Sequence, residues 1–332
     1  MTTEARYDIV AVGNAIVDVI AQADDMFLEE EQLNKGSMTL IDAERATQLY
    51  RDMGVAREIS GGSGANTLAG ASTLGRQCAL IAQVADDQLG EVFTHDIRAT
   101  GIDFDVPPLG KEPPTARCLI LVTPDAQRTM NTFLGASQFL PPAAVDANLI
   151  ASGAILYLEG YLWDAEEPKA AMALAIDIAH KNDRKVAFTL SDGFCIERHR
   201  DDFTRLIKDG MIDILFANEA EIKSLCETED FDAAVVQTAA QVETLVVTRS
   251  EKGAIALQNG KTYAVGAEPV EKIVDTTGAG DLFAAGFLSG YIEERSMEDC
   301  LIIGAVAAAE VISHYGARPE KDLRELVKQR LG

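Results

Sequence analysis

Positive charge is what this chain is shortest of. Its 332 residues carry 29 Lys and Arg against 53 Asp and Glu, a formal net charge of −24. Nucleic acids and anionic membrane surfaces demand basic patches, so neither is expected as a partner, although one small basic site for an anionic ligand is compatible with that balance. Cysteine is sparse and unpatterned. Cys78, Cys118, Cys195, Cys226 and Cys300 are odd in number, scattered and without CxxC spacing, which points to reduced thiols rather than disulfides or zinc ligands. The four histidines form no HExxH or other metal pattern. No apolar run approaches the length of a membrane span, and Met1-Thr2-Thr3-Glu4 lacks the basic and apolar segments of a signal peptide, so a cytoplasmic protein is expected. Internal repeats and low-complexity segments are absent. With 47% hydrophobic and 25% charged residues, the composition is that of a globular chain with a substantial core.

The familiar nucleotide fingerprints are missing too. The chain's Gly260-Lys261-Thr262 has Ile255 where the leading glycine of a Walker A loop belongs. A Rossmann turn starting at Gly278 needs glycine where Phe283 stands. A nucleophile elbow on Gly61 and Ser63 needs glycine where Ala65 stands.

What the chain does have is Asp275-Thr276-Thr277-Gly278-Ala279-Gly280-Asp281 running into the apolar stretch from Leu282 to Tyr291. The stretch has the composition of a buried helix, so the glycines sit at its N-terminus, where free N–H groups and the helix dipole favour an anion. Asp281 falls in that first turn. An anion site beside a carboxylate is the minimum equipment for moving a phosphoryl group onto an alcohol; a tight turn with a dipole-matched Asp is the plainer alternative. A second glycine cluster, Ile59-Ser60-Gly61-Gly62-Ser63-Gly64-Ala65-Asn66, leads into a small-residue helix. On spacing alone it reads as a structural turn or as a helix start open to a ligand.

Short apolar runs alternate with helical patterns along the chain. Strands are expected at Asp8 to Val12, Cys78 to Val84, Ala154 to Leu158, Lys185 to Leu190, Ile212 to Phe216 and Thr244 to Thr248. That alternation predicts an α/β fold with a largely parallel sheet. Asp18 follows the first strand, where position alone leaves it either a solvated loop residue or a carboxylate facing a ligand. Gly36 to Ile41 alternates like a strand, and the rest of Ala21 to Asp42 is a poor helix pattern. Thr115 to Thr123 and Arg128 to Leu134 flank the turn Pro124-Asp125-Ala126-Gln127 and read as a hairpin. Trp163 and Tyr161, past the strand Ala154 to Leu158, suit a core or a base pocket, and Asn218 to Glu221 reads as a helix start whose Glu is commonly a cap.

The seven-residue string around Gly278 resembles the C-terminal signature of the PfkB, or ribokinase, family of carbohydrate kinases. Gly61-Gly62-x-x-x-Asn66 resembles that family's N-terminal signature, and Gly13-Asn14…Asp18 resembles its adenosine-kinase branch. The resemblance covers nearly the whole chain. It implies a ribokinase-like three-layer sandwich, one domain over residues 1–332, with a small β lid from about 15–43 and 113–135. It further implies Asp281 as the catalytic base and Gly278, Ala279 and Gly280 as the anion hole, with Arg128 reaching the moving phosphate from the lid. The substrate would be held by Asn14, Asp18, Gly62 and Asn66, with Phe133, Leu134 and Tyr161 near its base. Asn218, Thr248, Gly253, Thr276 and Thr277 would serve ATP. Glu221 would order water around Mg²⁺, and Asp275 with Thr277 would hold K⁺ in members that use it. Asp281 needs no raised pKa, since late proton transfer to an ordinary carboxylate suffices, and the helix end is expected to keep it ionised. The expected reaction is ATP-dependent phosphorylation of the 5′ hydroxyl of a purine nucleoside, adenosine to AMP first. The alternatives are a kinase of ribose or fructose, and a catalytically silent ligand-binding relative. The expected partners are a small nucleoside or sugar, with the chain monomeric or homodimeric.

Overall fold

A computed structural model of the chain describes residues 5–125 and 127–332. Residues 1–4 and the turn residue Ala126 lie outside the described residues. The strands in chain order are β1 (Tyr7–Val12), β2 (Ile16–Gln22), β3 (Met38–Leu40), β4 (Ala56–Gly61), β5 (Cys78–Ile81), β6 (Ile102–Asp103), β7 (Ala116–Val122), β8 (Arg128–Phe133), β9 (Gly153–Glu159), β10 (Lys185–Thr189), β11 (Ile214–Asn218), β12 (Thr244–Thr248), β13 (Ala254–Gln258) and β14 (Lys261–Val265).

Nine strands form the main sheet in the order β14-β13-β12-β11-β10-β9-β1-β5-β6. It is parallel from β6 to β12, and β13 and β14 add an antiparallel edge. Both faces are buried, which explains why these strands read as continuous apolar runs. Ile9, Ala11, Tyr157 and Phe216 face one helical layer, and Val10, Val12, Leu156 and Leu215 the other. The result is a three-layer α/β sandwich. Trp163 belongs to the second core, edge-on to Phe188 and Phe203, so it is a packing residue.

The second sheet has the order β3-β8-β7-β2-β4. β7 and β8 pair antiparallel as the expected hairpin, and β2 joins β7 in parallel. It departs from the sequence reading in two ways. β4 lies outside both expected ranges, yet it pairs with β2 from Ile16–Gly61 to Ala21–Ala56. And Asp25–Glu30, inside the segment read as a poor helix, is a short helix whose N-cap Asp24 accepts from Phe27 N–H. Its capping residue and the single buried Leu28 against the sheet stabilise a piece too short to show a period.

Two helices carry the glycine motifs, Ser63–Thr73 and Ala279–Ile292. They lie side by side because Gly70 offers no side chain. A Cβ there would stand 2.4 Å from Leu282 Cδ1 and 2.8 Å from Ala285 Cβ. That close approach brings the N-termini of two helices more than 200 residues apart in sequence to one place. All five cysteines are unbridged thiols. No helix among the described residues is long and apolar enough to cross a membrane.

Candidate active site

The C-terminal ends of β1, β9, β11 and β12 share one edge of the main sheet, and the second sheet stands over that edge through β2. This is where ligands collect in open α/β sheets. Gly278 caps the helix Ala279–Ile292 in the left-handed region, φ 75°, which lets the chain turn straight into the helix. Ala279 N–H reaches Thr276 O at 3.3 Å and Leu282 N–H reaches Gly278 O at 2.8 Å. The N–H groups of Gly280 and Asp281 meet no acceptor among the described residues. Gly280 is exposed, and a Cβ on it would touch nothing within 4 Å. This is an open helix N-terminus with donors to spare.

Asp281 points back across the gap to the other motif. Its Oδ1 accepts from Ser63 Oγ at 2.6 Å and its Oδ2 from Asn66 Nδ2 at 3.0 Å. Burial pushes its pKa above the usual carboxylate value, while Ser63, Asn66 and the charge of Arg318 pull the other way. An ordinary carboxylate value is therefore corrected to a raised one: loss of water outweighs the pull of Ser63, Asn66 and Arg318. Asn66 is 4% exposed, and its Oδ1 is buried without a partner.

Gly62 caps Ser63–Thr73 at φ 101°, ψ 138°, and a Cβ on it would lie 2.3 Å from Asn14 O. Asn14 is fixed in turn by Glu159 at the end of β9. Glu159 Oε1 accepts from Asn14 N at 3.0 Å and Nδ2 at 2.5 Å, and Oε2 accepts from Gly64 N at 2.5 Å. Glu159 is fully buried; desolvation lifts its pKa to about 7 against the pull of those three donors. The sequence reading assigned it no role, although a carboxylate directly after a buried strand was a visible sign. Ser63 and Arg318 were missed as well. A serine inside a glycine cluster and an arginine between Ala317 and Pro319 carry no pattern of their own.

Asp18 sits on β2, opposite Cys118 in register, so it shares the site-facing side of the second sheet with Ile20, Ile120 and Val122. Burial and the charge of Asp281 push its pKa up to about 6, while Arg318 and Arg128 draw it down. Arg128, at the start of β8, forms an ion pair with Asp275, whose Oδ1 also accepts from Thr277 N at 2.8 Å and Oδ2 from Gly316 N at 2.9 Å. Asp18, Arg128, Asp275, Thr277 and Gly316 line one narrow cleft of ≈ 10 Å³, about one water's room.

Other expected residues lie further out. Phe133 pairs in register with Arg117, whose guanidinium turns to Thr47 and the Tyr50 ring. Paired residues share a face, so register sets Phe133 on the side away from Asp18. Leu134 follows in the turn, its carbonyl accepting from Ser137 Oγ at 2.5 Å. Tyr161 is half-buried; its hydroxyl donates to Ser191 O at 3.3 Å, and burial together with Asp192 and Asp281 raises its pKa well above normal. Asn218 and Thr248 are register partners at adjacent strand ends. Asn218 and Glu221 form a reciprocal capping box, Glu221 N to Asn218 Oδ1 at 2.8 Å and Asn218 N to Glu221 Oε2 at 2.9 Å. Glu221 is buried, and its pKa rises to about 7. Gly253 closes the turn before β13, and Thr276 is exposed beside the open helix end. Among the described residues no three His, Cys, Asp or Glu side chains are grouped to hold a metal by themselves.

Comparison with known proteins assigns the chain to a family. The family model for pfkB family carbohydrate kinases matches residues 7–323. The structure of adenosine kinase from Sinorhizobium meliloti superposes with a TM-score of 0.92 at 49% identity, over 98% of this chain and all of that one. A probable sugar kinase from Rhizobium etli CFN 42 gives 0.93 at 48% identity, over 98% and 99%. Adenosine kinase 2 of Arabidopsis thaliana is 25% identical over 97% of this chain and 99% of its own length. The chain belongs to the pfkB carbohydrate kinase family, nearest its adenosine-kinase branch, and is an ATP-dependent kinase with an alcohol acceptor.

Proposed function

We propose that the chain transfers the terminal phosphoryl group of ATP to the 5′ hydroxyl of a purine nucleoside, adenosine first. The observation that carries the choice of acceptor is the site-facing side of the second sheet. Cys118, Ile120 and Val122 form a separate apolar cluster with Ile16, Ile20 and Met130. A flat base loses little against such a surface, whereas a free sugar would present hydroxyls to it with no partner. The 49% identity to the Sinorhizobium meliloti adenosine kinase supports the same acceptor.

In this reading Asp18 grips the ribose hydroxyls beside Gly62 and Asn14, and the unpartnered Asn66 Oδ1 accepts from a substrate hydroxyl. Asp281 takes the 5′ proton as the new O–P bond forms and the bond to ADP breaks. Its raised pKa brings it nearer the working pH, which suits a general base. The spare N–H groups of Gly280 and Asp281 meet charge on the transferring group. Arg128 moves from Asp275 to that group, and the second sheet closes as a lid that excludes water. Asn218, Thr248, Gly253, Thr276 and Thr277 lie on the nucleotide side. A buried Glu221 carboxylate held by Asn218 fits Mg²⁺, which keeps most of its waters and takes few protein ligands. Bound with ATP, the ion neutralises phosphate charge. Asp275 and Thr277 would hold K⁺ only once Arg128 has left Asp275.

A sugar acceptor such as ribose or fructose is the second reading, favoured by the 48% identity to the probable sugar kinase. A coupled ADP-release screen of adenosine, inosine, ribose and fructose decides. Adenosine is expected to have the highest kcat/KM. Preference for a sugar over both nucleosides overturns the acceptor, and no turnover with any acceptor revives a silent ligand-binding protein.

A further inference from the structure

Neither glycine motif contains the group that ties them together. Gly316, Ala317 and Arg318 run as a strap across both helix openings. Gly316 N–H donates to Asp275. Ala317 is pressed against Gly278, where a Cβ would stand 2.6 Å from its own Cβ. Arg318 then crosses to the other motif. Its Nε and Nη2 donate to Ser60 O at 3.1 and 2.8 Å, Nη2 also to Ser60 Oγ at 2.8 Å, and Nη1 to Ala65 O at 2.7 Å. Ser60 is itself anchored, its N and Oγ donating to Asp96 Oδ2 at 2.8 and 2.6 Å. Those carbonyls flank Gly61-Gly62 and immediately precede Asn66. One planar guanidinium thus fixes the acceptor-side opening relative to the segment that holds Asp275 and Gly278.

We propose that Arg318 is a positioning residue for phosphoryl transfer: it locks the two helix openings in register and supplies the countercharge that lets Asp18 and Asp281 share one site. The inference rests on Asp281 being the base. Its electrostatics agree with the geometry. Burial lowers the pKa of Arg318 to about 10, opposed by Asp96, Asp18 and Asp281, and Arg318 in turn counters the rise at both site carboxylates. The other groups facing Asp281 cannot replace it: Ser63 and Asn66 are neutral, Asp18 and Glu159 are acids, and Tyr157 and Tyr161 are phenols whose pKa values burial raises. Arg128 draws on Asp18 but is paired with Asp275.

The test compares Arg318→Met, which keeps length and removes charge, with Arg318→Lys, which keeps charge and loses the fork. Two readouts are taken: kcat and KM with the accepted substrate, and direct titration of the Asp carboxylates by NMR of ¹³C-labelled protein without substrate. For Arg318→Met, kcat is expected to fall about 10- to 100-fold, KM for ATP to move less than about 3-fold, and the Asp18 and Asp281 titrations to move to higher pH. Arg318→Lys is expected to return the titrations towards wild type while recovering only part of kcat. Unmoved titrations in Arg318→Met overturn the proposal even if turnover is lost, because a purely structural role predicts that pattern. Full wild-type turnover in Arg318→Lys overturns the bridging half, and this arm decides alone if Arg318→Met does not fold. Near-normal turnover of Asp281→Asn would instead remove the base assignment, and the titrations would still judge Arg318.

Discussion

The two glycine-led helix openings look alike in sequence and have been built for opposite uses. Before Ser63–Thr73 the backbone is closed in. Gly62 presses on Asn14 O, Gly64 N–H is spent on Glu159, and Arg318 takes the carbonyls of Ser60 and Ala65. Before Ala279–Ile292 the backbone is open: Gly280 is exposed and its N–H has no acceptor among the described residues. A rigid opening suits a group that must be held in one orientation, and an open one suits an anion that arrives and leaves. In the first, Gly62 serves close approach of protein to protein; in the second, Gly278 does the same against Ala317, while Gly280 leaves room beside the helix end.

The sharpest way to break this division is at the residue that joins the halves. Asp281→Asn is expected to lower kcat at least about 100-fold with the protein folded, measured by ADP release; near-normal turnover would mean that Asp281 only braces Ser63 and Asn66. The next largest effect separates the openings. Gly62→Ala puts a side chain on a positive φ and into Asn14 O, so a loss of about 1–3 kcal/mol in urea unfolding is expected, with a raised KM for the acceptor. Gly280→Ala meets no atom and lies in a helix. It should leave stability unchanged or improve it by up to about 1 kcal/mol, while slowing turnover through crowding of the anion. Equal destabilisation by both would erase the contrast.

A smaller effect comes from pH. Glu159 titrates near 7 in the folded chain against a reference of 4.5, so its neutral form is the one folding favours. The contribution is complete below the reference value and is lost as pH rises through about 7. The slope is at most about 1.4 kcal/mol per pH unit for this one proton. Glu221, raised to about 7 in the same direction, adds a parallel decline. Denaturant titrations at pH 5, 6, 7 and 8 should show stability falling over that window. Glu159→Gln should be less stable, because one of the Asn14 and Gly64 N–H donors then faces an amide NH₂, and its decline with pH should be shallower by one proton. An unchanged slope would show that Glu159 is already ionised at pH 5.

Much of this protein was legible without coordinates, and for a definite reason. Buried parallel strands must be continuously apolar, so β1, β9, β10, β11 and β12 stood out, and alternation along β7 and β8 marked a sheet with two different faces. Helix starts announce themselves through glycines and acids, which placed Gly62, Gly278 and Asp281 at turns. β4 and the Asp25–Glu30 helix did not stand out, because β4 gains its order from pairing with β2 and the helix from docking Leu28. Phe133 was placed near the base as a lid residue, but the side of a strand on which a residue falls is set by register with Arg117, which the hairpin's own sequence does not state.

The sequence by itself determined the class of fold, the family and the two glycine-led helix starts, since these depend on local pattern and on glycine's freedom. Only the tertiary structure decided that the two openings meet, that Glu159 and Arg318 hold them, and that Asp281 is buried deeply enough for its pKa to rise. Those facts depend on long-range contact and on exclusion of water. Gly70 makes that contact possible by letting one helix lie against Leu282 and Ala285 of the other.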